Sequence, residues 1–293
     1  MSRFSAFTRF DNTYRMIGDV PLEATILVPS KTLDSPKQPG KKRPLIIRWH
    51  GGGFVVGHRM YECWFARWLL ELALDVEAII VTPDYRLLPE STGADILNDV
   101  AHFWTWAERS LPGYMKENEL PAVDVGHVLC CGESSGGFIS VYCALNLASM
   151  IEPPNDNTEQ LQITAVISIS APLDATAPEY KIPRPRIFMG RQPPPPRQAL
   201  AKIRGYVNGI RPGTIRTGCE PTAEMWELLL CIAQQAYLPR LFGRGVGEGR
   251  PAIERLRETL DMNERAMVPL WVVHWSNDTM VRQFLQKDTA CSS

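Results

Sequence analysis

The chain has 293 residues, 45% hydrophobic and 22% charged, the balance of a folded globular protein able to bury a sizeable core. Its 31 basic and 32 acidic residues leave a formal net charge of −1, so no net field draws it to nucleic acid or to an anionic membrane. No window has the apolar length of a membrane span, and Met1 to Val20 mixes Arg3, Arg9, Asp11 and Arg15 among its apolar residues, so neither a signal peptide nor a membrane anchor is expected and the expected location is cytoplasmic.

In chain order, Tyr14–Ile17 and Leu22–Val28 read as two strands about Gly18-Asp19-Val20-Pro21. A polar, Pro- and Lys-rich connection follows to Pro44. Leu45–Trp49 is a short apolar strand running into His50-Gly51-Gly52-Gly53-Phe54. Tyr61–Leu74 carries Trp64, Phe65, Trp68, Leu69 and Leu72 at helical spacing, which predicts one helix. Ala78–Thr82 is a strand ending in Pro83-Asp84-Tyr85-Arg86-Leu87-Leu88-Pro89-Glu90. Gly93–Arg109 is a helix with Ile96, Val100, Phe103, Trp104 and Ala107 on one face.

The apolar run His127–Cys131 reads as a buried strand, then comes Gly132-Glu133-Ser134-Ser135-Gly136-Gly137, then a helix over Phe138–Met150. Further strands are expected at Ile163–Ser170 and Leu270–His274. Strands alternating with helices predict an α/β fold with a mostly parallel sheet covered on both faces, in a single domain spanning 1–293. The segment 176–267 breaks this rhythm and reads as an inserted cap with a helix around Ala223–Tyr237. For Ile187–Gly218, rich in Pro and Arg, a cap and a surface loop are equally good readings. The seven cysteines are odd in number and form no C-x-x-C pair, so buried free thiols in a reducing compartment are expected, with no metal role. Cys130 and Cys131 adjoin on one strand and should face opposite sides of the sheet.

Strand, G-x-S-x-G, helix is the setting of a nucleophile elbow, a turn so tight that Ser134 is strained and its neighbours must be small. His50-Gly51-Gly52-Gly53, Asp84-Tyr85-Arg86-Leu87-Leu88-Pro89-Glu90 and the elbow, in this order and spacing, resemble the hormone-sensitive-lipase-like carboxylesterases of the α/β-hydrolase class. The resemblance covers about Leu22–Asp174 and resumes at Pro269–Val281. It implies a serine hydrolase for esters or amides of small apolar molecules, working through an acyl-enzyme on Ser134. Gly52, Gly53 and Ser135 would give the oxyanion-hole amides, and Asp278, in a segment similar to the family's H-G-x-x-D, would be the acid member. No cofactor or metal is implied. His50 would be structural, with Asp84, Arg86 and Glu90 bracing loops. The family usually has Asp-Ser-Ala where Glu133-Ser134-Ser135 stands, a change that removes no backbone donor.

The resemblance also implies a catalytic histidine about 25 to 35 residues beyond Asp278. Thr279–Ser293 contains none; the five histidines (50, 58, 102, 127, 274) all precede Asp278. Three expectations stand open: a chain shortened at its end, lacking the last strand and helix; a catalytically impaired or non-hydrolytic member that binds a ligand or serves specialised (secondary) metabolism; or a histidine supplied from elsewhere, such as His274, His58 or a partner chain.

Overall fold

The computed structural model of the chain describes residues 2–34, 40–150, 159–173, 178–185, 187, 192–243 and 268–275. A hairpin opens the fold. β1 (Phe7–Ile17) pairs antiparallel with β2 (Val20–Pro29) about Gly18-Asp19, with Gly18 at φ 57°. A left-handed first loop residue matches the twist of paired strands. β1 begins seven residues before the expected Tyr14 because its first half shows an edge pattern, with Arg9 and Asp11 outward and little apolar signal.

A short helix α1 (Ser30–Asp34) precedes β3 (Arg43–Trp49), which is followed by α2 (Arg67–Asp75), β4 (Ile79–Pro83), α3 (Gly93–Arg109) and α4 (Leu111–Glu117). β5 (Val123–Glu133) leads into α5 (Ser135–Met150), and β6 (Ile163–Ile169) follows. Between β6 and β7 (Leu270–Val273) lie α6 (Pro178–Lys181), α7 (Pro196–Gly209), α8 (Ala223–Gln234) and α9 (Leu238–Phe242).

Among the described residues the sheet has seven strands in the order β1-β2-β4-β3-β5-β6-β7, parallel from β4 to β7. This is the mostly parallel α/β sheet expected. Its two faces carry two cores. Ile47, Cys130 and Val166 lie on the face covered by α3 and α5, and Ile46, Ile80 and Cys131 on the face covered by α2. The adjacent cysteines therefore point to opposite faces, as a strand requires.

α3 has the bounds its pattern predicts. Thr92 Oγ1 accepts from the Asp95 amide at 3.2 Å, while the Asp95 carboxylate accepts from the Thr92 amide at 2.9 Å. This reciprocal cap satisfies two otherwise unpaired donors. Trp104 then donates its indole N–H to Cys143 Sγ of α5 at 3.0 Å, locking the two helices that cover this face.

The single helix expected over Tyr61–Leu74 is corrected. Glu62–Trp64 makes one 3₁₀ turn, Phe65 and Ala66 are extended, and α2 starts only at Arg67. Trp68 is exposed rather than part of the buried stripe, which is Phe65, Leu69, Leu70 and Ala73. The break frees Trp64 to pack toward Gly52 and Gly57 instead of under the sheet. α4 and α7 carry no clear signal in the sequence, because each has proline in its first turn, where the missing N–H costs nothing.

Ile187–Gly218 contains α7, with Ala199 and Ile203 buried, which favours the packed alternative. α8 ends at Gln234, short of the expected Tyr237. Parts of the expected 176–267 cap, including 244–267, lie outside the described residues. No described helix is long and apolar enough to cross a membrane.

Candidate active site

β3 and β5 run side by side, with Trp49 paired to Gly132. The chain leaving β3 into Gly51–Gly57 and the chain turning from β5 into α5 therefore emerge together, at the carboxyl ends of the parallel strands. Ser134 is the turn residue, at φ 54°. A non-glycine residue there costs about 1–3 kcal/mol and must be held by its surroundings. Two backbone bonds hold it: its amide donates to Ile169 O at 2.8 Å, and its carbonyl accepts from the Phe138 amide at 3.1 Å. Gly136, in the first turn of α5, is in backbone contact with β3, so close that a methyl group there would overlap the Trp49 carbonyl oxygen.

The glycine loop abuts this turn. A Cβ added at Gly51 would lie 2.7 Å from the Glu133 carbonyl oxygen and 3.5 Å from Ser134 Cβ. Gly52 sits at φ 113° and Gly53 at φ 62°, followed by Phe54 at φ 62°. The Gly52 carbonyl accepts from the amides of Val55 and Val56, both at 3.0 Å, which curls the loop back on itself. The amides of Gly52 and Gly53 enter none of the hydrogen bonds among the described residues. Ser135 is the first residue of α5, whose opening N–H groups have no partner within the helix and carry its partial positive charge. The glycine loop thus lies against a strained serine. Asp278, the expected acid member, lies outside the described residues.

Beneath the site is a layer of fixed charge. Arg48 is fully buried, sits 4.1 Å over the Phe65 ring, and reaches Glu133 Oε2 at 3.1 Å. Burial raises the Glu133 carboxyl above its usual range, opposed by Arg48. Asp84 accepts from the Arg59 amide at 2.7 Å and pairs with the Arg59 guanidinium. Arg86 bonds Asp99 and Asp95, and Glu90 bonds Arg216 and Tyr206. Each of these loop charges has a partner of its own.

His50 is buried and stacks on Tyr85 with ring centroids 4.3 Å apart. Its Nδ1 lies 2.8 Å from the Gly51 carbonyl, which can only accept, so Nδ1 carries the proton. Burial pushes the ring down to about 3, with Arg48 adding repulsion, against the opposing bond to Gly51. The unfolded ring protonates near 6.5. Between those values the unfolded chain binds the extra proton, so the stability His50 contributes is whole above pH 6.5 and drains as pH falls towards 3, by up to about 1.4 kcal/mol per pH unit. We expect the His50 ring to stay neutral at pH 5 by its ¹⁵N shifts; a titration midpoint near 6.5 would contradict the burial.

The other histidines are dispersed. His58 Nε2 is 3.0 Å from Glu220 Oε1, His102 Nδ1 is 2.8 Å from Asn98 O, and His127 Nδ1 is 3.0 Å from Asp124 Oδ2. His274 follows the end of β7. Among the described residues no cluster of His, Cys, Asp and Glu could hold a metal ion.

Several residues near the glycine loop escape sequence reasoning. Trp64 packs tilted against Trp226 of α8 with ring centroids 5.4 Å apart, Leu229 presses on Gly53, and Phe242 of α9 packs on Phe54 and Phe138. Arg216 donates to the carbonyl of Val55. Helical spacing around Trp226 and Leu229 marks them as buried, but nothing local says against what. Chemically, the assembly offers a hydroxyl on a rigid turn, amides without a partner among the described residues and apolar neighbours, which suits a neutral carbonyl compound gaining negative charge.

Known proteins resemble this chain in sequence and fold. A family model described as alpha/beta hydrolase fold matches residues 46–201. The chain is 41% identical to "Probable carboxylesterase M8" of Phoma sp. (strain ATCC 20986 / MF5453), over 96% of this chain and 81% of that protein. It is 39% identical to "Probable carboxylesterase clz11" of Cochliobolus lunatus, over 70% of this chain and 86% of that one. A solved hyperthermophilic esterase from the archeon Pyrobaculum calidifontis superposes with a TM-score of 0.51 at 19% identity, covering 90% of this chain and 64% of that one, a likeness of fold.

Proposed function

The chain belongs to the α/β-hydrolase family, and from that premise we propose that it hydrolyses carboxylic esters or amides of small apolar molecules through an acyl-enzyme on Ser134. The observation that carries this reading is the strained Ser134 set against Gly51, with the amides of Gly52 and Gly53 unspent. In it, Ser134 Oγ attacks the carbonyl carbon, and the amides of Gly52, Gly53 and Ser135 receive the developing oxyanion. Expulsion of the alcohol or amine leaves the acyl group on Ser134, and water then releases the acid. Asp278 serves as the acid member; the base that takes the Ser134 proton and passes it to the leaving group is unassigned, since all five histidines of the sequence precede Asp278. The segment 176–267 is a cap on a single domain, and Trp64, Trp226, Leu229, Phe54, Phe138 and Phe242 give the substrate apolar surroundings.

One observation favours a second reading. His50, His58, His102 and His127 are each bonded to groups other than Ser134, which suits a chain that holds a ligand and turns it over poorly. A fluorophosphonate probe decides between them. We expect one adduct, located on Ser134 by peptide mass spectrometry and prevented by prior exposure to an aryl ester. A protein that stays unlabelled after hours with excess probe while binding the same ester would establish the second reading and sink the first.

A further inference from the structure

We propose that Arg216, in the segment between α7 and α8, is a positioning residue that fixes the Gly51–Gly57 loop for catalysis; the inference rests on the hydrolytic reading above. Arg216 is remote in sequence from everything it touches. Its Nη1 donates to the Val55 carbonyl at 2.6 Å, and its Nη2 donates to the Leu88 carbonyl and to Glu90 Oε2, the latter at 2.8 Å. Its own carbonyl accepts from the Leu87 amide at 2.7 Å. One largely buried side chain thus ties together the glycine loop, the Asp84–Glu90 loop and the insertion.

The neighbouring bonds show why this matters at Gly52 and Gly53. Val55 donates its amide back to Gly52 O, so the group Arg216 holds is one peptide away from the curl that sets the Gly52 conformation. Phe54 O accepts from the Leu88 amide at 2.7 Å, so Leu88 grips the loop on one side and Arg216 on the other. Two residues on, Gly57 and Cys219 exchange both backbone bonds, at 2.7 and 3.0 Å. The loop therefore hangs from the insertion at Val55 and Gly57. Glu90 completes the anchor: it neutralises Arg216 and accepts from Tyr206 of α7 at 2.7 Å.

A planar, five-donor guanidinium can serve three acceptors in fixed directions, whereas an ammonium on a flexible stem serves them as a point charge. Displacing oxyanion donors by about an ångström from a remote site costs roughly 10²-fold in rate. The insertion, on this account, sets the geometry of the catalytic amides as well as covering them.

The test compares the full chain with Arg216→Met, Arg216→Lys and Glu90→Gln. Two readouts are taken. Hydrogen exchange of peptides covering 51–57 reports the loop directly and needs no catalysis. The second-order rate of fluorophosphonate labelling reports the oxyanion geometry, since the phosphoryl oxygen occupies the same donors. For Arg216→Met we expect faster exchange at Val55–Gly57 with α3 and α5 unchanged, and labelling slowed roughly 10- to 100-fold. Arg216→Lys should restore part of both, and the affinity of a ground-state competitor such as a non-hydrolysable ether of the substrate should change less than threefold. Unchanged exchange over 51–57, or unchanged labelling with the loop loosened, would overturn the proposal while leaving Ser134 chemistry standing. Failure of the wild-type chain to label would overturn the hydrolytic reading, and with it any catalytic role for Arg216, whatever the exchange shows.

Discussion

Ser134→Ala should lower kcat/KM for p-nitrophenyl acetate by roughly 10³-fold or more, with the folded state intact. The loss is chemical because the serine side chain has little structural work at this position. Both bonds that hold the turn are backbone bonds, from its amide to Ile169 and from Phe138 to its carbonyl, and alanine keeps both. Alanine bears the same left-handed penalty as serine, since each has one β-carbon. What disappears is the hydroxyl. On the proposed mechanism the remaining donors and apolar surroundings still bind the ester and polarise it, so the rate should fall towards what they sustain alone. Initial rates with circular dichroism and a melting curve check this. A variant that melts within a few degrees of wild type and keeps more than about a tenth of its activity would remove Ser134 from the mechanism.

Gly52→Ala should be nearly as damaging for a different reason. A methyl group at Gly52 would overlap the Val56 carbonyl, a backbone atom that is itself part of the curl. At φ 113° the added side chain also forces a conformation L residues rarely adopt. The loop must therefore open, and the Gly52 and Gly53 amides leave the positions in which the proposed mechanism uses them. Losing one such donor elsewhere costs about 10²–10³ in kcat, and we expect a fall in that range with KM little changed. The strain of about 1–3 kcal/mol should lower Tm by only about 2–5 °C. Gly53→Ala supplies the contrast. Its added methyl bears left-handed strain at φ 62° but meets only Leu229 Cδ1, the far end of a side chain that can swing away, so its activity loss should be smaller than that of Gly52→Ala. Equal losses in the two variants would mean that the clash at Val56 is not what matters.

The legible parts of this fold are those where a local signal and a tertiary role coincide. α3 is bounded correctly because Thr92 caps it and its stripe of Ile96, Val100, Phe103 and Trp104 is the stripe that is buried. The elbow is legible because small residues at Gly132 and Gly136 answer a steric demand that the flanking strand and helix announce. Tyr61–Leu74 misleads because Trp64 stands at helical spacing by coincidence, while its indole belongs to Gly52, Gly57 and Trp226. α7 is obscured by Pro193–Pro196, four residues that read as a breaker although Pro196 occupies a position where proline begins helices well. Arg216 is invisible for a stronger reason. An arginine in a stretch of Gly, Pro and Thr reads as a solvated loop, and its acceptors lie more than a hundred residues away in the sequence. Motifs report what a turn needs; they do not report what leans on the turn from outside.

The buried pair of Arg48 and Glu133 bears on how this sequence can vary. Arg48 has no exposure, so a neutral residue at 133 strands a cation under the elbow, and a neutral residue at 48 strands a carboxylate one position before Ser134. Either single change costs on the order of 3 kcal/mol, whereas an apolar pair of matching volume would be close to neutral. Against a total stability of about 5–15 kcal/mol, the two acceptable states are separated by a less stable intermediate. The two positions are therefore tied: replacing both together removes the charge beside Ser134 cleanly, whereas replacing either alone leaves the other without its counterion.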